Sequence, residues 1–519
     1  MRSFLYTNGG DLIQRADVLV SLRETFPLAE PADYTIYTLI LQKRNVIMTR
    51  SLIAIFCWLA AATMALAATP SAKPNIIFVL VDDLRWDDLG CAGHPFSQTP
   101  HINRLAHEGA QFLNSFATTP LCSPSRASIL TSEYAHVHGI IDNTERSKQS
   151  HLLKTFPQEL QKAGYETAFF GKWHMGNDNT PRAGFDRWYC LQGQGSTFDP
   201  AVNDDGHDVQ TNGYVTDLLN EKTLDFIRQK HSRPYFIYLS QKAVHPETKQ
   251  AADGTLSDPN ASNFIPAPRH KNLYEGVKLP RRPNWSVPPL DKPALQQKIA
   301  GLAPLGPETG STDDSILNRL RMLASVDEGV GQILKTLADA GQLDNTLIVV
   351  TGDHGYFYGE HCLSVERRLA YEEGIRVPII MRYPPFIKAG ERPENLALTI
   401  DLAPTFVQLA GGAIPSQYQG RSLVPLMKGA TPAGWRKSIL VEYFSDTVFP
   451  RMRKMGYHAV RDDHWKYIHY DEQVDADELY DLTVDPYELK NIVHDKAAAD
   501  ALLRMQHELR KLLAETGGK

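Results

Sequence analysis

The sequence predicts an α/β fold: a large, mixed but mostly parallel sheet sandwiched by helices, followed by a small antiparallel sheet at the C-terminus. Three observations predict it. Five continuous apolar runs lack the polar–apolar alternation of a half-exposed strand, as expected of strands buried on both faces of a parallel sheet. Helical patterns lie between several of them and stop at glycines, which gives the strand–helix succession of an α/β sandwich. Beyond about residue 430 the runs become short, with turns between them.

In chain order, Asn75–Val81 is the first run and ends in Asp82-Asp83. Helical patterns follow at Pro100–Glu108, stopped by Gly109, and at Thr155–Ala163, stopped by Gly164. Glu166–Phe170 is the second run and leads into Gly171-Lys172-Trp173-His174. Pro234–Leu239 leads into Ser240-Gln241-Lys242-Ala243-Val244-His245. A helical pattern from Leu317 to Ala340 ends at Gly341, and Thr346–Val350 then leads into Thr351-Gly352-Asp353-His354-Gly355. Arg376–Met381 is the fifth run. Short strands are expected at Leu440–Phe444, His458–Val460 and Lys466–Ile468, closed by an amphipathic helix over Asp495–Leu513. The expected division is a main domain over 73–430 and a small α+β subdomain over 431–519.

The 519-residue chain carries 54 Lys+Arg against 60 Asp+Glu, a net charge of −6, with 42% hydrophobic and 22% charged residues. That balance excludes a disordered chain, a collagen-like repeat and a multi-span membrane protein. It also lacks the basic excess of a general nucleic-acid binder. The five cysteines (Cys57, Cys91, Cys122, Cys190 and Cys362) are too few for a disulfide scaffold. With Cys57 removed and one cysteine given a chemical role, at least one of the remaining three is an unpaired thiol, or all three are free.

Ser51–Ala67 is the strongest apolar run; Arg50 precedes it and Ala65-Leu66-Ala67 closes it. A basic flank, a short apolar core and a small-x-small exit mark a secretory signal peptide rather than a membrane anchor. Met48-Thr49-Arg50 is a natural start, so 48–67 is read as the signal peptide and 1–47 as a mistaken upstream extension. The mature chain is expected to begin near Ala68, to be exported (periplasmic or secreted) and to keep no stable membrane span.

In open α/β sheets, ligands bind outside the carboxyl ends of the strands. Four runs deliver Asp82, Asp83, Lys172, His174, His245, Asp353 and His354 to those ends. Asp82, Asp83, Asp353 and His354 form a metal-type set, because clustered carboxylates repel unless a cation sits among them. Mostly oxygen ligands suit Ca²⁺ or Mg²⁺ better than Zn²⁺. In Cys122-Ser123-Pro124-Ser125-Arg126, Pro124 fits the first turn of a helix running towards Tyr134. Cys122 then sits at a helix N-terminus, where negative charge is favoured.

The same five residues resemble the C-x-P-S-R signature of the formylglycine-dependent sulfatases, members of the alkaline-phosphatase-like superfamily. Other blocks match that family in order: Val81–Arg85, Thr99–Leu105, Gly171–His174, Gly352–Gly355 with Gly359-Glu360-His361, Tyr371-Glu372-Glu373, Trp465-Lys466-Tyr467, Glu478–Leu482 and Asp485-Pro486. The resemblance runs from about residue 73 to 495. The wording Ser240–Pro246 and Pro266–His270 is similar to the glucosamine-6-sulfatase and heparan endosulfatase branch.

The resemblance implies an alkaline-phosphatase-like fold and a sulfuric ester hydrolase acting on a sulfated carbohydrate. It implies that a formylglycine-generating maturation enzyme oxidises Cys122 to formylglycine (3-oxoalanine), whose hydrate is the nucleophile. Asp82, Asp83, Asp353, His354 and the modified Cys122 would hold a divalent cation, commonly Ca²⁺. Arg126 would steady the diol, Lys172 and His245 would contact the sulfate, His245 would protonate the leaving alcohol, and His174 would deprotonate the second hydroxyl. Two positions depart from the family. Ser132 stands where glycine is common, over two helical turns from Cys122. Arg367 or Arg368 must replace a lysine that many members carry about four residues before Tyr-Glu, and arginine binds sulfate well but is a poor proton donor.

Residues 246–310 are proline-rich and aperiodic, and carry Arg269, His270, Lys271, Lys278, Arg281, Arg282 and Lys292. They are expected to form either a plain surface insertion or a basic rim that steers polyanionic substrates, with Arg269 and His270 as substrate contacts. Two other readings fit the same residues: a phosphodiester or phosphonate monoester hydrolase on the same fold, and a glycan-binding relative that has lost catalysis.

Overall fold

The computed structural model describes residues 73–248, 251, 255, 263–445 and 448–518. The expected upstream extension and signal peptide lie outside them. The first ten strands are β1 (Asn75–Val81), β2 (Ala110–Phe112), β3 (Ser115–Phe116), β4 (Glu166–Gly171), β5 (Arg187–Leu191), β6 (Ala201–Asp204), β7 (His207–Gln210), β8 (Tyr235–Gln241), β9 (Thr346–Gly352) and β10 (Ile379–Arg382). The remaining strands are β11 (Ala397–Leu398), β12 (Ser438–Tyr443), β13 (Tyr457–Asp462), β14 (Trp465–Tyr470) and β15 (Glu478–Asp481). The principal helices are α1 (Pro100–Glu108), α2 (Cys122–Thr131), α3 (Phe156–Lys162), α4 (Val215–Arg228), α5 (Asp313–Asp339), α6 (Leu402–Leu409) and α7 (Ala499–Thr516).

The main sheet has the order β2-β10-β9-β1-β8-β4-β5-β6-β7. Its centre, β9-β1-β8-β4-β5, is parallel throughout. β1 shows why these strands read as unbroken apolar runs. Ile77, Val79 and Val81 pack on one face with α1, α4 and α5, while Ile76, Phe78 and Leu80 pack on the other with α2, α3 and α6. A strand covered on both faces needs no polar side.

The fifth run became β10, which pairs antiparallel to β9 and so stands outside the parallel block. A parallel return needs a crossover of a dozen or more residues, usually through a helix, that carries the chain to the other end of the sheet. Residues 353–378 hold only the short helical turn Glu372–Ile375 and stay at the end where β9 finishes. The strands β6 and β7 escaped the apolar reading because they are amphipathic or polar, and every residue of β7 is exposed. A local signal for the last pair was present. Asp205-Gly206 joins β6 to β7 with positive φ at both residues (50° and 93°), the hairpin turn that Asp-Gly favours.

The helices begin where their caps place them. α5 starts one turn earlier than its apolar pattern, because Thr312 accepts the Ser315 N–H (3.2 Å) and Asp313 and Asp314 occupy the positive end of the helix dipole. α1 is capped from another helix: Asp327 of α5 accepts N–H groups from His101 (3.1 Å) and Ile102 (2.7 Å). All four described cysteines are free, so no disulfide contributes.

At the C-terminus β12-β13-β14-β15 form the expected antiparallel sheet, with α7 packed on it through Met505 and Leu509. Its attachment is polar and buried. Tyr371, Tyr470 and Tyr480 all donate to the Glu478 carboxylate, at 2.8, 3.1 and 2.5 Å. Lys466 bridges Glu372 (2.9 Å) and Glu488 (2.8 Å). Each buried hydroxyl left without a partner costs about 1–3 kcal/mol. Glu478→Ala is therefore expected to lower stability by roughly 3 kcal/mol or more in urea unfolding, with Glu478→Gln recovering part of the loss. An unchanged urea midpoint in the alanine variant would refute this account of the attachment.

Candidate active site

Strand register builds the site. β1 and β9 run in parallel register to Val81 opposite Gly352, so the next residues, Asp82 and Asp353, emerge side by side. The chain then turns at Asp83, whose φ of 59° aspartate tolerates better than most residues. The Asp83 N–H donates to Asp353 Oδ1 (3.0 Å), as does the His354 N–H (3.0 Å). β4 ends at Gly171 with φ 129°, and a Cβ there would collide with the Ser240 carbonyl. Glycine thus lets the Lys172 N–H continue the pairing to Ser240 O (2.9 Å) and places the lysine beside Asp82, to which Nζ donates.

Cys122 is the first residue of α2, fully buried. The helix is bolted to the carboxylates by its own side chains. The Ser125 hydroxyl donates to Asp353 O (2.6 Å). The Arg126 guanidinium lies 3.1 Å from Asp82 Oδ1 and 3.0 Å from Asp353 Oδ2, and donates to Lys172 O (2.8 Å) and Ser240 Oγ (2.7 Å). α2 stops at Thr131, short of Tyr134, because Ser132 is left-handed (φ 60°). Such a cap favours glycine. Here the serine hydroxyl donates to Ile400 O (2.8 Å) and accepts the Gly420 N–H (3.1 Å), which offsets the strain.

Ligand-type atoms of Asp82, Asp83 and Asp353 lie within 4.8 Å of one another, as do those of Cys122, Asp353 and His354, and those of Asp83, Cys122 and His245. Asp82 Oδ1 and both oxygens of Asp83 are buried and accept no hydrogen bond from the described residues, although charged groups stand beside them. His354 donates Nδ1–H to Gly355 O (3.0 Å), which turns Nε2 toward Asp83 Oδ1 (3.3 Å) and Cys122 Sγ (3.4 Å). Fixing one ring nitrogen on a carbonyl is how proteins orient a metal-ligating histidine. This donor set fits a hard divalent cation.

The electrostatics follow from burial set against charge. Burial works to raise the Asp82 pKa, but Lys172 and Arg126 outweigh it and hold the carboxyl well below its ordinary range. Burial opposes ionisation of Cys122 too, and Lys172 and His354 reverse that, lowering its pKa. Asp353 moves upward, through burial and the neighbouring Asp82. His245 is pushed down to about 4, mainly by burial and then by Lys172.

A ring nitrogen of His245 lies within 4.8 Å of the Cys122 sulfur, and His174 and His245 both add to the lowering of the Cys122 pKa. His245 donates Nδ1–H to Pro246 O (2.8 Å) and receives Arg367 on Nε2 (2.8 Å). Arg367 also stands 3.0 Å from Asp83 Oδ1. Arg368 turns the other way, donating to Val365 O (3.4 Å) with its guanidinium over the Phe449 ring at 4.5 Å. Of the two candidate arginines, Arg367 is the one in the cluster.

Arg269 and His270 are not brought there. Arg269 pairs with Asp217 of α4 and Glu328 of α5, both at 2.7 Å, and His270 pairs with Glu328 at 3.1 Å. Arg281, Arg282 and Lys292 have acidic partners as well, in Asp313, Asp87 and Asp291. For these five residues the expected basic rim is corrected to locally paired charges. Two residues escaped the sequence reading. Arg319 of α5 donates to Asp83 O (2.7 Å) and Val244 O (3.3 Å), tying two site loops together. Its signal was an arginine on the helix stripe that buries Ile316, Leu320 and Leu323. Lys242 donates to Pro246 O (3.0 Å) beneath the site, and its burial lowers its pKa to about 8.

A profile of the sulfatase family matches residues 74–413. The chain belongs to the sulfatase family. A second profile, described as N-sulphoglucosamine sulphohydrolase, C-terminal, matches residues 352–515. The N-acetylglucosamine-6-O-sulfatase of Bacteroides thetaiotaomicron is 32% identical over 88% of this chain and 89% of its own. The N-acetylglucosamine-6-sulfatase of Homo sapiens is 29% identical over 82% of each. A solved structure, described as a complex with its substrate D-glucosamine-2-N,6-O-disulfate, is 30% identical, covers 86% of this chain and 98% of that one, and superposes with a TM-score of 0.74. The phosphonate monoester hydrolase of Agrobacterium radiobacter shares the fold, at 22% identity and a TM-score of 0.66 over 86% of this chain and 96% of that one. The chain is thus a sulfatase of the glucosamine-6-sulfatase branch, a sulfuric ester hydrolase.

With Cys122 fully converted, Arg367→Ala is expected to cut kcat/KM on an aryl sulfate by about 100-fold or more, since it removes a charge placed for the developing anion. Arg367→Lys should restore part of it, and Arg368→Ala should stay within about threefold of the parent protein. Equal losses in the two alanine variants would refute the assignment of Arg367.

Proposed function

We propose that this sulfatase removes sulfate from a sulfated carbohydrate, with a glucosamine 6-sulfate as the first candidate, and that it does so through formylglycine formed from Cys122 by a maturation enzyme. The observation that carries the reading is the meeting of Cys122, at the N-terminus of α2, with three buried carboxylates, His354, two cations and two further histidines. The sugar comes from the relatives, which act on N-acetylglucosamine sulfates by name. Relatives described as extracellular sulfatases, together with the Ser51–Ala67 run, support an exported protein.

Asp82, Asp83, Asp353, His354 and the modified residue at 122 would hold the divalent cation, Ca²⁺ or Mg²⁺, which supplies charge neutralisation and Lewis acidity. Hydrated formylglycine supplies two hydroxyls on one carbon, one to attack sulfur and one to expel sulfate. The chain's own groups do the rest. Lys172 and Arg367 flank Cys122 and bind sulfate oxygens, cancelling the repulsion between the anionic ester and the carboxylates. Arg126 holds Asp82 and Asp353 at a fixed separation and steadies the residue at 122 from below. His174 accepts the proton of the second hydroxyl.

His245 handles the leaving group. Its Nδ1–H is committed to Pro246 O, so Nε2, which accepts Arg367 in the structure, is the atom that takes up a proton once that arginine turns to the sulfate. An entering sulfate anion favours protonation there, opposing the effect of burial and Lys172. The proton then passes to the leaving alcohol. Every one of these side chains is buried, which strengthens the charge interactions among them.

Protein co-produced with a formylglycine-generating enzyme is expected to show loss of the Cys122 thiol in favour of an aldehyde by peptide mass. It should hydrolyse sulfate esters in preference to phosphate or phosphonate esters of the same alcohol, and Cys122→Ala should abolish turnover. Full activity in Cys122→Ala would overturn the mechanism, and a preference for phosphonate esters would move the protein to the alternative chemistry.

A further inference from the structure

Lys242 follows β8 directly and is fully buried. A lysine is almost never wholly out of water unless it is paired, because taking an ammonium out of water is costly. Here the burial is strong enough to lower its pKa to about 8, and the neighbouring Lys172 adds to the penalty. A cation kept at that cost is identified by what it holds.

Its charge is met by two consecutive residues of the turn that follows. Nζ donates to Pro246 O (3.0 Å) and stands 3.6 Å from Glu247 Oε2. The His245 N–H closes the same turn by donating to Lys242 O (3.0 Å). Glu247 is anchored in its own right: Oε2 accepts the Thr197 N–H (2.8 Å) and hydroxyl (2.5 Å), and the Glu247 N–H donates to Asn263 O (2.8 Å). The lysine side chain thus spans the loop it belongs to, and His245 lies inside the span.

The Pro246 carbonyl is the shared element, since it also accepts His245 Nδ1–H (2.8 Å). A carbonyl oxygen offers two lone pairs. One ring N–H and one ammonium use both. The χ2 torsion of a histidine is broad, so its partners set the direction of the ring. The bond made by one nitrogen also decides which nitrogen is left for chemistry. Whatever pins the Pro246 carbonyl therefore pins the ring, and with it the direction of Nε2.

We propose that Lys242 is a positioning residue for the reaction: it straps the Pro246 carbonyl in place and so holds the His245 ring with Nε2 aimed at the departing alcohol. The inference rests on the reading of His245 as proton donor and adds what aims it. As the S–O bond breaks, the alcohol oxygen keeps the bonding pair and takes the Nε2 proton; its O–H bond forms and the ring is left neutral. A displacement of about 1 Å in such a group can cost about 100-fold in rate. The cost falls on alcohols that leave poorly without a proton.

The test reads kcat/KM, which covers the steps up to departure of the alcohol, on converted full-length protein. The substrates are aryl sulfates running from strongly to weakly acidic phenols, and a glucosamine 6-sulfate. Lys242→Met keeps the apolar stem and removes the charge and the donor, and Glu247 keeps its bonds to Thr197. It is expected to lower kcat/KM about tenfold or more on the weakest phenols and the sugar ester, and less than about threefold on the most acidic phenols. Lys242→Gln, slightly shorter but still a donor, should regain part of the loss. His245→Asn should show the same dependence more strongly, and adding Lys242→Met to it should cost less than about threefold further. A loss equal across all leaving groups, full additivity in the double variant, or no loss at all would overturn the strap and leave His245 as assigned. A flat response in His245→Asn would overturn that assignment, and the strap with it. No turnover of any sulfate ester by the parent protein would overturn the catalytic reading beneath both. If Lys242→Met does not fold, Lys242→Gln carries the comparison, with a selective loss of about threefold or more expected.

Discussion

Three carboxylates, from Asp82, Asp83 and Asp353, meet in the buried end of the sheet with ligand atoms within 4.8 Å of one another. Two like charges about 4 Å apart repel by about 4 kcal/mol at an effective dielectric near 20. Nothing in the fold could hold them there without opposite charge, and the surroundings supply it from every side. Arg126 comes up from α2, Lys172 from the end of β4, Arg367 from the loop after β9, and the backbone N–H groups of Asp83 and His354 point at Asp353. The parallel register of β1 and β9 and the helix carrying Cys122 are both constrained by this concentration of charge.

The loop that carries Arg367 continues straight into Tyr371-Glu372-Glu373, and all three residues are gripped from elsewhere. Tyr371 reaches Glu478 on β15, Glu372 pairs with Lys466 on β14 and Arg461 on β13, and Glu373 meets Arg282 and Asn284. The C-terminal sheet is thus the backing plate for one wall of the site. A network of buried ionic and phenolic groups tolerates little misalignment, since a half-satisfied one is costlier than none. That gives the small sheet a role in the alignment of the Arg367 loop although it places no described residue in the cluster around Cys122.

How much of this was legible in the sequence depended on whether a residue's meaning was local. The central strands were legible because burial on both faces removes polar residues from them. The polar residues that follow Val81, Phe170, Leu239 and Val350 were legible because strand ends in such sheets face one way. The edge was not: β7 is wholly exposed and has no apolar signature. Charge in the 246–310 segment misled, because a sequence shows a cation but not its partner. Arg269 meets Asp217, 52 positions away, and is neutralised on the outside of two helices. Arg367 and Arg368 are chemically identical neighbours, and only the fold shows that one faces His245 and the other Phe449. Arg319 was invisible as a site residue because its work is done on backbone carbonyls in the loops that follow two neighbouring strands.

An arginine rather than a lysine at 367 bears on what alkali can do to the site. A guanidinium keeps its proton at any pH a folded protein survives, and Asp83 beside it only strengthens that hold. Where a lysine would surrender its charge as the medium became basic, this wall of the anion pocket stays cationic. Arg367, hydrogen-bonded to His245 Nε2 at 2.8 Å, thus provides a field that does not change with the medium.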